Sequence, residues 1–360
     1  MSKSIFSRGF GAILGMVSTD IGIDLGTANI LVYVKDKGII INEPTIVAIN
    51  TKTGQLVAVG DKAKEMYGRT PTHIEIVRPL VDGVISDFEV TEEMLVYLIN
   101  RVRSTNRMLI SPRVLVGVPS GITNVEMRAA RDAVKNAGAR DVYLIEEPMA
   151  AAIGAKLPVG KSVGSMIVDI GGGTSDIAVI SVNGIVASKN LRVAGDHFTA
   201  AIITYVRDQF KVHIGDKTAE NAKIKLASIT ESEESREIAI RGRDAVTGLP
   251  REVAITEADI REAIAPHIDT LVETIRALLE RTPPEVLADV MQRGIHIAGG
   301  GALIPGLVSL LEDVLQVPVV VVPDPLRAVA RGIGIVVEDL HEYEEILIEN
   351  EGELSPALQD

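Results

Sequence analysis

The chain has 360 residues, 46% of them hydrophobic, a formal net charge of -13 and no cysteine. That length and apolar share can bury the cores of more than one domain. The missing cysteine excludes a disulfide framework, thiolate zinc sites and a cysteine nucleophile, and it fits a reducing compartment, with the cytoplasm as the default. The acid excess would repel a phosphate backbone, and no basic patch of useful size offsets it, so nucleic acid is not an expected partner.

No apolar run reaches the ~20 residues that a membrane-spanning helix needs. The first segment has a different character. On a helical wheel Ile5, Phe6, Phe10, Ile13, Leu14, Met16 and Val17 share one half of the circle, with Ser4, Ser7, Arg8 and Gly11 on the other. Such a segment lies in a membrane surface. Gly9, Gly11 and Gly15 each weaken a helix in water by roughly 1 kcal/mol, so this one is expected to order on lipid. The competing reading is a helix packed on the chain's own core.

From Asp20 onward the pattern turns to strands. Ile21–Leu25 and Ile30–Val34 flank the turn Gly26-Thr-Ala-Asn29 and predict a hairpin. β-type runs follow at 38–41, 46–49 and 56–59, and Arg113–Val118 predicts a buried strand. Met108-Leu-Ile110 is an apolar tripeptide where a surface loop is expected. Thr123-Asn-Val-Glu126 is a capping-box pattern that opens a helix stopping near Gly138. After the strand Val142–Ile145, Pro148 starts a further helix and leaves Glu147 at the junction, where it either caps that helix or faces a cleft.

A second strand–glycine–strand unit follows: Ser165–Asp169, the turn Gly171-Gly-Gly-Thr174, and Ile177–Ile180. Like the first, it places an aspartate at the end of an apolar strand, then a glycine turn followed by threonine, then a second apolar strand. Two related halves are the simplest explanation. Residues from about 198 to 258 are more polar and read as a smaller subdomain. Ile260–Leu279 predicts a long amphipathic helix, and Gly294–Ala298 predicts a strand running into Gly299-Gly-Gly-Ala302 and a helix to Leu315. The strand Val317–Val322, a helix from about Leu326 and an acidic tail close the chain.

Phosphate oxygens need backbone N–H groups with no side chain in the way, which is the use of Gly26 and of Gly171, Gly172 and Gly173. A carboxylate beside such a turn would repel phosphate unless a cation intervenes. Asp24 and Asp169 therefore predict a bound Mg²⁺, held through water. Both turns run from strand to strand, unlike a P-loop or a dinucleotide fingerprint, and no Walker lysine is present.

Together the three turns resemble the two phosphate motifs and the adenosine motif of the actin, sugar-kinase and heat-shock-chaperone ATPase superfamily. The match sharpens at Asp24–Asn29, Asn42-Glu-Pro44, Arg78-Pro79 with Asp82-Gly83, Val118-Pro119, Glu146–Gly154 and Thr282-Pro-Pro284, all similar to the MreB family of bacterial actins. The resemblance implies an α/β, actin-like ATPase fold: two related halves, each with a mixed sheet and flanking helices, a nucleotide cleft between them, and smaller inserted subdomains. The expected divisions are 1–18 for the membrane-binding segment and 19–161 for the first half, with an insert at about 45–80. The second half is 162–337, with an insert at about 198–258, and 338–360 is the tail.

The resemblance further implies ATP and Mg²⁺ as cofactors. Thr27, Ala28 and Asn29 would contact phosphate with Gly171–Gly173, and Gly299, Gly300, Gly301 and Ala302 would adjoin the nucleoside. Glu220 and Lys223, one helical turn apart, would contact adenosine; read alone they are a surface ion pair. Glu147 would orient the attacking water, with Asp169 and Thr174 completing the catalytic set. Ser175-Asp176 departs from the Thr-Glu usual in the family. The implied function is a weak ATPase that polymerises with itself, lies peripherally on the inner face of the cell membrane through the first segment and 108–110, and organises cell-wall synthesis with elongation proteins. A small-molecule kinase or phosphatase on the same fold is the alternative, although no substrate pocket can be pointed to.

Overall fold

The structure is a computed structural model that describes residues 19–106, 110–231 and 236–348. Its contacts divide the chain into two compact units: residues up to Leu157 together with those from Arg327, and Pro158–Leu326.

The first unit begins with β1 (Ile21–Leu25), β2 (Asn29–Val34) and β3 (Gly38–Pro44), an antiparallel meander. An insert follows, made of β4 (Val47–Asn50), β5 (Leu56–Val59), α1 (Asp61–Met66) and β6 (Ile74–Val77), with sheet order β5-β4-β6 over a small core of Ile46, Ala48 and Ala63. A short hairpin, β7 (Leu80–Val81) and β8 (Val84–Ile85), leads into α2 (Phe88–Asn106). Then come β9 (Arg113–Val118), α3 (Asn124–Asn136), β10 (Asp141–Glu146) and α4 (Glu147–Gly154). The main sheet has the order β10-β9-β1-β2-β3, with β10, β9 and β1 parallel. The Thr123 hydroxyl accepts from the Glu126 amide and the Glu126 carboxylate accepts from the Thr123 amide, so the capping box fixes where α3 starts.

In the second unit β11 (Ser165–Ile170), β12 (Ser175–Ser181) and β13 (Gly184–Leu191) form another antiparallel meander. α5 (Gly195–Tyr205) runs into a π-helical turn, Val206–Phe210, that Lys211 ends in the left-handed region. The insert contains β14 (Val212–His213), α6 (Asp216–Leu226), β15 (Glu237–Asp244) and β16 (Pro250–Thr256). The long helix α7 (Glu257–Arg281) carries its own capping box at Thr256 and Asp259. α8 (Pro284–Arg293), β17 (Ile295–Ala298), α9 (Leu307–Leu315) and β18 (Val319–Val321) complete the unit. Its sheet order, β18-β17-β11-β12-β13, again has three parallel strands followed by two antiparallel ones. The two sheets therefore repeat strand for strand, which is the internal duplication expected from the paired turns.

One expected boundary is corrected. The second half does not extend to 337, because α10 (Ala328–Glu338) packs on the first unit. Ile333, Val336 and Val337 are fully buried there. A Cβ at Gly22 of β1 would lie 2.4 Å from Ile333 Cγ2, so glycine lets the helix lie directly on the strand. The expected acidic tail from 338 is also packed as far as it is described: Leu347 and Ile348 are buried, and the Ile348 amide donates to the Leu144 carbonyl at 2.9 Å. Apolar burial outweighs the acidic composition there. Among the described residues no helix is long and apolar enough to cross a membrane.

Candidate functional site

In the first unit the site grows from the C-terminal ends of three parallel strands. Asp24 on β1 is paired with Gly117 on β9, which is paired with Ile145 on β10. Two residues beyond, Glu147 opens α4, buried, with its Cγ only 3.4 Å from where a Cβ of Gly117 would stand. A Cβ at 117 would press first on Ile333 Cδ1, at 3.0 Å, and would only touch Glu147, so Gly117 leaves room for both side chains over the strand. Glu146 points elsewhere, taking the Ser120 hydroxyl at 2.7 Å.

The β1–β2 turn needs glycine, because a Cβ at Gly26 would lie 2.6 Å from the Asn29 carbonyl oxygen. Its acceptors are occupied. Thr45 donates its hydroxyl to the Gly26 carbonyl at 2.6 Å and its amide to the Ala28 carbonyl at 3.0 Å, and the buried Thr27 hydroxyl accepts from the Gly83 amide at 2.9 Å. Ala28 and Asn29 are exposed, and the amides of Thr27 and Ala28 donate to no carbonyl among the described residues. The turn thus offers donors and few acceptors, which suits an anion.

The second unit repeats the device with different parts. Gly171 N–H closes its turn onto the Thr174 carbonyl at 2.9 Å, while the Gly171 and Gly172 carbonyls accept from the Gly195 and Asp196 amides at 3.2 and 2.7 Å. Gly172 and Gly173 N–H groups donate to no carbonyl among the described residues. Asp169 and Thr174 are buried, and Asp169 stands directly opposite Asp176 across the ladder. The shortened acid at 176 is engaged by Asn190 Nδ2 at 2.9 Å, and Ser175 donates to the Val193 carbonyl at 2.7 Å, so both departing residues serve the sheet.

Glu220 and Lys223 on α6 do converge on this corner. Lys223 Nζ lies 2.6 Å from Glu220 Oε2 and donates to the Gly195 carbonyl at 2.7 Å, while Thr199 donates its hydroxyl to Glu220 Oε2 at 2.6 Å. Gly299, at φ 75, would place a Cβ 2.2 Å from the Ile170 carbonyl oxygen and 2.6 Å from Asp169 Oδ1, so the third glycine turn abuts the end of β11. It is followed by a 3₁₀ turn, Gly300–Leu303, and α9 starts only at Leu307. Sequence reasoning passed over Thr45, Gly117, Gly195, Asp196 and Thr199, and quoted Gly83 only as part of a family motif, without a role at the turn. The Gly195-Asp196 pair at a helix start was a legible signal for an amide-lined corner.

The residues fit a metal-chelated anion. Burial pushes the Asp24 carboxyl up to about 7, which a cation beside it would reverse. In the folded chain Asp24 therefore holds a proton that the unfolded chain releases from its ordinary value of 3.8 upward, and stability falls as pH rises through that window. Asp24→Asn is accordingly expected to raise the melting temperature of the nucleotide-free protein at pH 8 and to change it little at pH 4. Equal shifts at both pH values in thermal melts would contradict the assignment.

Ile110 is half-buried at a bend before β9, whereas Met108, Leu109, Ile5, Phe6, Phe10, Ile13, Leu14 and Val17 lie outside the described residues.

The profile of the MreB/Mbl protein family matches residues 18–345. The cell shape-determining protein Mbl of Bacillus subtilis is 47% identical over 325 residues, covering 90% of this chain and 97% of its own. The cell shape-determining protein MreB of Escherichia coli K12 is 50% identical over 333 residues, covering 91% and 96%. The crystal structure of MreB5 of Spiroplasma citri bound to ADP matches with a TM-score of 0.86 at 39% identity, covering 91% of this chain and 98% of that one. These likenesses extend over nearly the full length, through both aspartate-tipped turns and the actin-like fold that carries them, and the chain belongs to the MreB/Mbl family.

Proposed function

We propose that this chain is a cell-shape-determining filament protein that binds ATP with Mg²⁺, hydrolyses it weakly in step with polymerisation, and organises cell-wall synthesis at the inner face of the cell membrane. The observation that carries the reading is the pair of turns whose carbonyls are occupied and whose amides are left as donors, each next to an aspartate. The family supports it: MreB5 of Spiroplasma citri is known with ADP and with AMPPNP, and the curated relatives are cell shape-determining proteins.

When bound, ATP would supply the scissile phosphoanhydride and Mg²⁺ the positive charge that offsets its oxygens. Thr27, Ala28, Asn29 and Gly171–Gly173 would hold phosphate, Asp24 and Asp169 would hold the metal's water shell, and Glu220, Lys223 and Gly299–Ala302 would hold the nucleoside. Glu147, at the start of α4, would orient and polarise a water, with Asp169 and Thr174 completing the catalytic set. The amphipathic segment at 5–17, helped by 108–110, would provide the membrane contact, and wall-elongation membrane proteins would be partners on that surface. Copies of the chain would assemble with one another.

Sedimentation with ATP and Mg²⁺, alone and with anionic liposomes, tests this. Filaments in the pellet are expected, with Ile13→Glu keeping ATP-dependent assembly and losing liposome binding. Soluble monomer under every condition would count against the proposal.

A further inference from the structure

Both phosphate turns have their carbonyls taken by an adjoining element, but the first turn's partner is unusual. In the second unit the partner is the N-terminus of α5. In the first unit it is Thr45, the residue at which the main sheet gives way to the insert. Thr45 is 2% exposed and bonded twice to the turn, through Oγ1 to the Gly26 carbonyl and through its amide to the Ala28 carbonyl.

The same strand end also grips the insert. Glu43 Oε2 accepts from the Asp61 amide at 2.9 Å, taking one of the orphan donors at the start of α1. Gly60, at φ 64, makes this approach possible, since a Cβ there would lie 2.1 Å from Glu43 Oε2. Arg101 of α2 donates to Glu43 Oε1 at 2.8 Å, fixing the carboxylate from the other side. The Ile46 carbonyl, one residue past Thr45, accepts the Gly60 amide at 2.9 Å. Residues 43–46 are therefore bonded to the phosphate turn through Thr45 and, on either side of it, through Glu43 and Ile46 to the start of α1 and the glycine before it.

We propose that Glu43–Thr45 is a strut that couples occupancy of the phosphate turn to the order of the insert, with Thr45 as its positioning residue. The inference rests on the nucleotide reading above. With its carbonyls held back by Thr45, the turn directs amides toward the ligand; a bound phosphate stabilises that arrangement, and the bonds from Glu43 and Ile46 pass it to β4 and α1. A side chain that cannot donate leaves the Gly26 carbonyl without its buried partner and lets the turn rotate an acceptor toward the anion.

The test uses the full chain below its assembly concentration, with a fluorescent ATP analogue and Mg²⁺, and compares wild type with Thr45→Val and Thr45→Ser. Thr45→Val is expected to weaken affinity about fivefold or more with little change in maximal turnover, and Thr45→Ser to restore affinity to within about twofold of wild type. Hydrogen exchange on the wild type supplies a reading that needs no variant: nucleotide is expected to slow exchange of the amides of 46–50 and 61–64. Unchanged affinity in Thr45→Val, or no nucleotide-dependent protection of those amides in a wild type that does bind, would overturn the strut. A wild type that binds no nucleotide would instead overturn the nucleotide reading itself.

Discussion

Glu147→Gln is expected to lower ATP turnover by about two orders of magnitude or more while nucleotide affinity stays within about threefold of wild type. The substitution keeps the side chain's shape and removes its ability to accept a proton from water. The surroundings favour this clean outcome, since Glu147 is buried at the first position of α4, next to Gly117, the residue that the sheet ladder sets opposite Asp24. Glu146→Gln is the internal control. That carboxylate is spent on the Ser120 hydroxyl at 2.7 Å, so its loss is expected to leave turnover within a few-fold. Single-turnover hydrolysis with separately measured binding decides the matter. Comparable losses in the two variants would mean that the β10–α4 junction is merely structural and that another group handles the water.

The parts of this site that could be read in advance share a property: their physics is local. The β1–β2 hairpin follows from two apolar runs around Gly26, the start of α3 from Thr123 and Glu126, and the metal expectation from a carboxylate next to a glycine turn. What could not be read depends on partners distant in the chain. Thr45 acts on carbonyls 17 or more positions earlier, and the amides of Gly195 and Asp196 on Gly171 and Gly172. Neither side chain advertises the role, because one is a lone hydroxyl and the others act through backbone. The helix α2 is a different case. Met94, Leu95, Leu98, Ile99 and Val102 are buried at helical spacing, so its signal was present and went unused. The return of α10 to the first unit had no local signal at all, since its register depends on which glycines face each other across two helices.

That glycine contact carries a large stability effect, and Gly332→Ala is expected to destabilise the first unit by about 3 kcal/mol or more. A Cβ at Gly332 of α10 would lie 1.7 Å from the Ala150 carbonyl oxygen of α4, and one at Gly154 would lie 1.9 Å from the Ala328 carbonyl oxygen. Both obstacles are backbone, so no rotamer change relieves them, and the two helices must separate. Alanine's better helix propensity returns only about 1 kcal/mol, so the clash wins. A fall in melting temperature on the order of 6–12 °C is therefore expected. Gly215→Ala, at a position where a Cβ meets nothing within 4 Å, supplies the comparison and is expected to cost under about 1 kcal/mol. The effect reaches the chemistry because α4 begins at Glu147: a helix pushed off α10 carries that carboxylate with it, and turnover should fall even at temperatures where Gly332→Ala remains folded. A Gly332→Ala protein that melts within 1 kcal/mol of wild type would show that α4 and α10 do not pack as closely as this geometry requires, and would remove the mechanical link between the helix pair and Glu147.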